Sequence, residues 1–188
     1  MNTYAPNNGK TKESWARRIK WDSDLLDAMK NHFKGDAKPL IWVGDLNVNR
    51  RNEDVSDVTF FRDEKCSLYR NAPRPTDPNN LGYPGFTINE MNRFDEIYSS
   101  GNFVDTYRKF VPYGSPKIDL STEFTWRGNR PVHVAYSPFY GKGMRIDYLL
   151  VQKPLEENIK SSKILGHGID RKGFLGSDHC PIELVLDL

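Results

Sequence analysis

Apolar positions along the chain change period from segment to segment, and the period predicts the elements. Trp15, Ile19, Leu26, Met29 and Phe33 recur at three-to-four spacing, which predicts an amphipathic helix over 14–33, with Gly35 as its stop. Leu40-Ile41-Trp42-Val43 follows Pro39 as an unbroken apolar run whose length and β-branched content predict a strand buried on both faces. Thr87 and Glu90 have the spacing of a capping box, Phe86 and Met91 that of a hydrophobic staple. Met91, Phe94 and Ile97 then form the buried stripe of a second helix ending at Gly101. Short strands are expected at Glu123–Arg127 and Arg145–Val151. At the C-terminus Ile182, Leu184, Leu186 and Leu188 alternate with Glu183, Val185 and Asp187, as in a half-buried antiparallel strand. The first four residues read as the end of a strand. Residues 49–85 lack periodicity and are rich in Pro, Asn and Asp, which predicts a functional or inserted loop. Strands with interspersed helices give an α/β (α+β) class.

Composition narrows the picture. At 188 residues the chain has the length of a single domain, taken as 1–188. Hydrophobic content of 37% against 28% charged, with no apolar run near the ~18 residues of a membrane span, argues for a soluble chain without membrane association. The first residues lack the basic and apolar regions of a signal peptide. Two cysteines, Cys66 and Cys180, are too few for a disulfide framework, so an intracellular compartment is expected.

Charge is informative locally. Residues 1–20 carry five Lys/Arg against one acid, residues 127–172 nine against four, and residues 53–95 eight acids against five bases. Two basic segments around an acidic middle fit a polyanion-binding face, and equally an ordinary solvated surface.

Candidate chemistry lies at strand ends, where loops place side chains in clefts. Asp45 and Asn47 follow the buried strand, Asp147 lies in a strand beside Arg145, and Asp178-His179 precede the last strand. Brought together, these oxygen-rich groups would suit a hard cation such as Mg²⁺, shared with a phosphate while an Asp or His handles water. Each residue also has a plain structural use: an Asx-turn for Asp45 and Asn47, a turn at Asp178, a satisfied hydrogen bond at His179, an Asp147–Arg145 pair. Spacing alone does not choose between these uses.

Three ordered motifs do: Gly44-Asp45-Leu46-Asn47-Val48, Gly143-Met144-Arg145-Ile146-Asp147-Tyr148 and Gly176-Ser177-Asp178-His179-Cys180-Pro181. With Tyr4-Ala5-Pro6-Asn7, Pro84-Gly85-Phe86-Thr87, Val104-Asp105-Thr106-Tyr107-Arg108 and Phe124-Thr125-Trp126, the chain resembles the exonuclease III-type abasic-site (AP) endonucleases of the endonuclease/exonuclease/phosphatase superfamily. The resemblance spans essentially the whole chain. It implies a four-layer α/β-sandwich of which this chain holds the C-terminal part. It also implies a Mg²⁺-dependent enzyme, with Mn²⁺ as alternative ion, that cuts double-stranded DNA 5′ to an abasic site. A 3′→5′ exonuclease is the companion activity, and no obligate protein partner is implied.

Residue by residue, the resemblance makes Tyr4, Asp45, Asn47, Asp147 and His179 catalytic. Tyr4 would contact the scissile phosphate, Asp45 handle a proton, Asn47 orient the water, Asp147 orient the histidine, and His179 contact phosphate or act as base. Asp45, Asn47, Asp178 and His179 would hold the metal. Asn7, Lys10, Trp126, Met144 and Arg145 would contact DNA, with Trp126 and Met144 lining the pocket for the base-less sugar; core packing is the other reading of Trp126. The stretch 48–85 and Val132–Tyr140 look like insertions. Family members also carry, ahead of the position of Tyr4, strands that supply an Asn and a metal-binding Glu. The chain is therefore expected to be an N-terminally truncated domain, marginally stable and weak in metal binding. A nuclear location is expected if the source is eukaryotic. Alternatives are a superfamily phosphatase or nuclease acting on other phosphoesters, and a catalytically dead DNA-binding module.

Overall fold

The computed structural model describes residues 1–9, 11–32, 38–62, 75–115, 123–128 and 137–188. Lys10, Phe33, Gly35, Cys66 and most of Val132–Tyr140 lie outside the described residues.

The residues expected to be a strand end form β1 (Asn2–Tyr4), which pairs in parallel with β2 (Ile41–Asp45). On its other side β2 pairs antiparallel with β6 (Asp147–Gln152), which in turn pairs with β3 (Phe103–Asp105), giving a sheet in the order β1-β2-β6-β3. Trp42 of β2 is completely buried, while its neighbours Ile41 and Val43 on the opposite face are only partly covered. The apolar run is therefore sealed on one face and half-sealed on the other. β4 (Trp126–Arg127) with β5 (Gly143–Met144), and β7 (Ile159–Ile164) with β8 (Ile182–Leu186), form two hairpin-like pairs. The expected strand at 123–127 is thus reduced to two residues, and that at 145–151 begins at Asp147.

Helix α1 (Lys12–His32) and helix α3 (Ile88–Ser100) cover one face of the four-stranded sheet. Met29 of α1 and Phe94 and Ile97 of α3 pack with Trp42, Phe103, Tyr148 and Leu150. Each fully buried side chain of this kind contributes roughly 1.5–3 kcal/mol. The capping box at Thr87 forms as expected: Thr87 Oγ1 accepts from the Glu90 backbone N–H, and the Glu90 carboxylate accepts from the Thr87 N–H. Phe86 and Met91 meet in a second apolar cluster, and Gly101 caps the C-terminus.

Ile19, expected on the buried stripe of α1, is 45% exposed, because Arg18 and Asp22 occupy that face instead. Arg18 is satisfied there by Asp22 at 2.8 Å and by the carbonyls of Pro6 and Asn47, and Asp22 also accepts from Arg93 of α3. This buried ion pair, with Nε and Nη1 of Arg18 both donating, ties α1 to the loop after β2.

The described residues of the 49–85 stretch are not structureless. They fold into short helical turns, including α2 (Val58–Phe61) capped by the Asp57 side chain. The remaining helix, α4 (Thr106–Phe110), is capped by Asp105 and joins β3 to the β7–β8 pair through Thr106 Oγ1, which lies 2.8 Å from Ser162 Oγ. Among the described residues no helix is long and apolar enough to cross a membrane.

Candidate active site

The site begins at the end of β2. Gly44 has φ +135°, and a Cβ there would lie 1.9 Å from the Thr3 carbonyl oxygen, so only glycine lets β1 run this close to β2. Asp45 follows directly. Its Oδ1 accepts from the Asn47 backbone N–H at 2.9 Å, which is the Asx-turn, and Oδ2 accepts from Asn47 Nδ2 at 3.1 Å. Asn47 adopts φ +48°, a conformation that Asn tolerates better than most residues. Its Nδ2 also donates to the Ala5 carbonyl, and its Oδ1 accepts from Asn7. The turn and the site are one object: the local hydrogen bonds hold the carboxylate still.

Strand register brings in the second acid. Asp45 and Asp147 are directly opposite in the β2–β6 pair, where like charges repel. Burial, and next the charge of Asp147, push the Asp45 carboxyl up to about 6, against the Asn47 N–H and His179, which favour its ionised form. His179 relieves Asp147: its Nδ1 lies 2.9 Å from Asp147 Oδ2. Burial disfavours the imidazolium, but the Asp147 hydrogen bond and the charges of Asp147, Asp45 and Asp178 outweigh it and raise the His179 pKa.

Thr125, which the motif reading left without a role, holds this pair together. Its Oγ1 accepts from the Ile146 and Asp147 N–H groups, and its carbonyl accepts from Cys180 N–H. One buried residue thereby fixes the backbone on both sides of the Asp147–His179 contact.

These groups open into a cavity of about 420 Å³. Asn7, Asp45, Asn47, Asp178 and His179 form its polar side, with Tyr4 at the mouth, 75% exposed. Phe61, Tyr83, Trp126, Phe139, Met144 and Ile146 form an apolar side. Phe61, Tyr83 and Phe139 were not anticipated; they come from the aperiodic loops. Trp126 is half-buried and packs against the Phe61–Met144 cluster, its indole N–H donates to Asp178 Oδ2 at 3.1 Å, and its ring meets Phe139 edge-on.

Asp45, Asp147 and His179 offer ligand atoms all within 4.8 Å of one another. Asp178 lines the same cavity and accepts from the Trp126 indole N–H. Asn47 uses its amide to position Asp45.

Arg145 corrects a further expectation. It does not face DNA. Its side chain is 1% exposed and donates to Asp54 at 2.8 Å and Asp105 at 2.7 Å. Arg108 and the Tyr113 hydroxyl also donate to Asp54. A guanidinium buried between two carboxylates is not presented at the surface, and it is Asp54 and Asp105, not Asp147, that it bonds.

No protein-family model matches the chain. A DNA-(apurinic or apyrimidinic site) endonuclease of Arabidopsis thaliana is 41% identical over 188 residues, covering 99% of this chain and 47% of the relative. A protein of the same name from Plasmodium berghei is 33% identical over 192 residues, 98% of this chain and 33% of the relative. The chain is a relative of the exonuclease III-type AP endonucleases.

An exodeoxyribonuclease of Bacillus subtilis is 29% identical over the whole chain and 60% of the relative. Among solved structures, an AP endonuclease from Archaeoglobus fulgidus superposes with a TM-score of 0.69 at 21% identity, over 100% of this chain and 60% of that one. The AP endonuclease LMAP from Leishmania major does so with a TM-score of 0.65 at 22% identity, over 99% and 49%. The AP-endonuclease fold is therefore present, and the chain spans about half the length of the curated relatives it matches.

Proposed function

We propose that the chain carries the catalytic groups of a divalent-metal-dependent DNA repair phosphodiesterase that hydrolyses the backbone 5′ to an abasic site in double-stranded DNA. The observation that supports this best is the cluster of Asp45, Asp147 and His179, of which Asp45 and His179 line a cavity that Phe61, Trp126, Phe139 and Met144 also line.

The residues fit a divalent ion. Two carboxylates in opposite register leave Asp45 destabilised as an anion, and a cation between them would relieve that. Asp45 and Asp147, with Asp178 nearby, would hold Mg²⁺ or Mn²⁺, which when bound neutralises charge on the phosphoryl oxygens.

The chain's own residues do the rest. Asp45, anionic at neutral pH and held in place by the Asn47 N–H, is positioned to take a proton from the attacking water. Asn47 keeps the carboxylate aimed. Asp147 holds His179 by Nδ1 and leaves Nε2 for the cavity, where the raised pKa favours an imidazolium facing the phosphate. Tyr4 at the mouth offers a phenol to the same phosphate. Trp126, Met144 and Ile146 admit a base-less sugar against apolar surface.

The test is incision of a duplex containing one abasic site, in Mg²⁺ and in EDTA, beside an intact duplex and inositol phosphates. Metal-dependent cleavage on the 5′ side of the lesion is expected, and Asp45→Asn should abolish it. Binding without cleavage would leave a DNA-binding module. Phosphate release from inositol phosphates alone would move the site to another phosphoester.

A further inference from the structure

We propose that the turn Phe174–Ser177 is a wedge that enters duplex DNA beside the lesion, with Leu175 as the apolar tip. The proposal rests on the reading of the site as acting on abasic DNA.

The β7–β8 connection reverses twice. His167 and Lys172 exchange backbone hydrogen bonds around a tight turn, and the chain then makes a second turn closed by Ser177 N–H on the Phe174 carbonyl. The second turn is anchored at both ends. Phe174 is buried, and the Arg171 guanidinium donates to the Ser177 carbonyl at 3.1 Å. Between these anchors Leu175 is 86% exposed, in left-handed backbone at φ +54°. That conformation disfavours a branched residue, and Gly would adopt it freely. Folding thus gains nothing from leucine here: the side chain covers no core and its backbone is strained. A strained residue held by a firm surround is a frequent mark of function.

The surroundings point to DNA. Leu175 is three residues from Asp178, so its Cα is within ~11 Å of a cavity-lining position. The same connection carries the exposed Lys172 and Asp170, and Ile169 is 50% exposed. An exposed apolar tip on a braced turn is the pattern of side chains that part base steps. An abasic site has already lost stacking on one strand, so a leucine can fill the gap at low cost.

The test uses the full chain in EDTA and a duplex with one tetrahydrofuran abasic site and 2-aminopurine beside it. Wild-type binding should raise 2-aminopurine fluorescence, reporting an opened stack. Leu175→Ala and Leu175→Gly should bind about tenfold more weakly, ~1.4 kcal/mol, with the rise lost, while Leu175→Met retains both. Leu175→Gly should melt no lower than wild type, which separates the wedge from a folding role. Variants that match wild type in affinity and fluorescence overturn the wedge. A wild-type chain that neither prefers abasic duplex nor incises it in Mg²⁺ overturns the functional reading instead. Wild-type incision with unaffected Leu175 variants removes the wedge alone.

Discussion

Asp45→Asn should stabilise the metal-free protein while destroying its activity. Asp45 faces Asp147 across the β2–β6 pair, and its carboxyl is raised from 3.8 to about 6. Two units at 1.36 kcal/mol each would amount to ~3 kcal/mol of strain in the ionised form. Asp45 keeps partial contact with solvent, which reduces this to ~1–2 kcal/mol. The asparagine also loses one acceptor for Asn47, about 0.5–1 kcal/mol, leaving a net gain near 1 kcal/mol. For a chain of this size that is a rise in Tm of roughly 2–4 °C. The sign follows from linkage: a carboxyl whose folded pKa lies above its unfolded value favours folding least once both states are ionised. The advantage of the variant should therefore be absent below pH ~4, grow between about 4 and 6, and stay constant above. Thermal melts in EDTA from pH 3.5 to 8 measure it. A variant that melts lower than wild type at pH 8, or an offset independent of pH, would refute the like-charge reading of the site.

Other outcomes follow from the same geometry. Asp147→Asn removes the charge that holds His179 and should lower turnover by ~10²–10³ with little change in KM; steady-state kinetics on abasic duplex measure it, and turnover within twofold of wild type would contradict the role. Arg145→Met leaves Asp54 and Asp105 short of a buried partner, and urea denaturation should show a loss of ~3–5 kcal/mol; a loss under ~1 kcal/mol would mean that Arg108 and Tyr113 suffice. Gly44→Ala places a Cβ against the Thr3 carbonyl at positive φ, so it should cost more than ~1 kcal/mol and misplace Asp45; unchanged stability and activity would show that β1 can give way.

How much of this was legible beforehand depends on the range of the forces involved. The capping box at Thr87, the stop at Gly101, the apolar run of β2 and the alternation of β8 are readable because cap and period are settled by residues within a few positions. The Asx-turn at Asp45–Asn47 is local in the same sense. The α1 stripe misled at Ile19 because a charged pair can replace an apolar face only when distant carbonyls satisfy it, here those of Pro6 and Asn47. Tyr83 and Phe139 carried no periodic signal, since loops place side chains through tertiary contacts.

The motifs by themselves marked Asp45, Asn47, Asp147, Asp178 and His179, and the relationship to AP endonucleases was visible in their order. Only the tertiary structure decided how they meet. Register set Asp147 opposite Asp45, which with burial raised one pKa. An indole N–H bonds Asp178, and two buried carboxylates enclose Arg145. Charge, burial and hydrogen-bond partners are properties of three-dimensional neighbours, and those neighbours come from elements far apart in the chain.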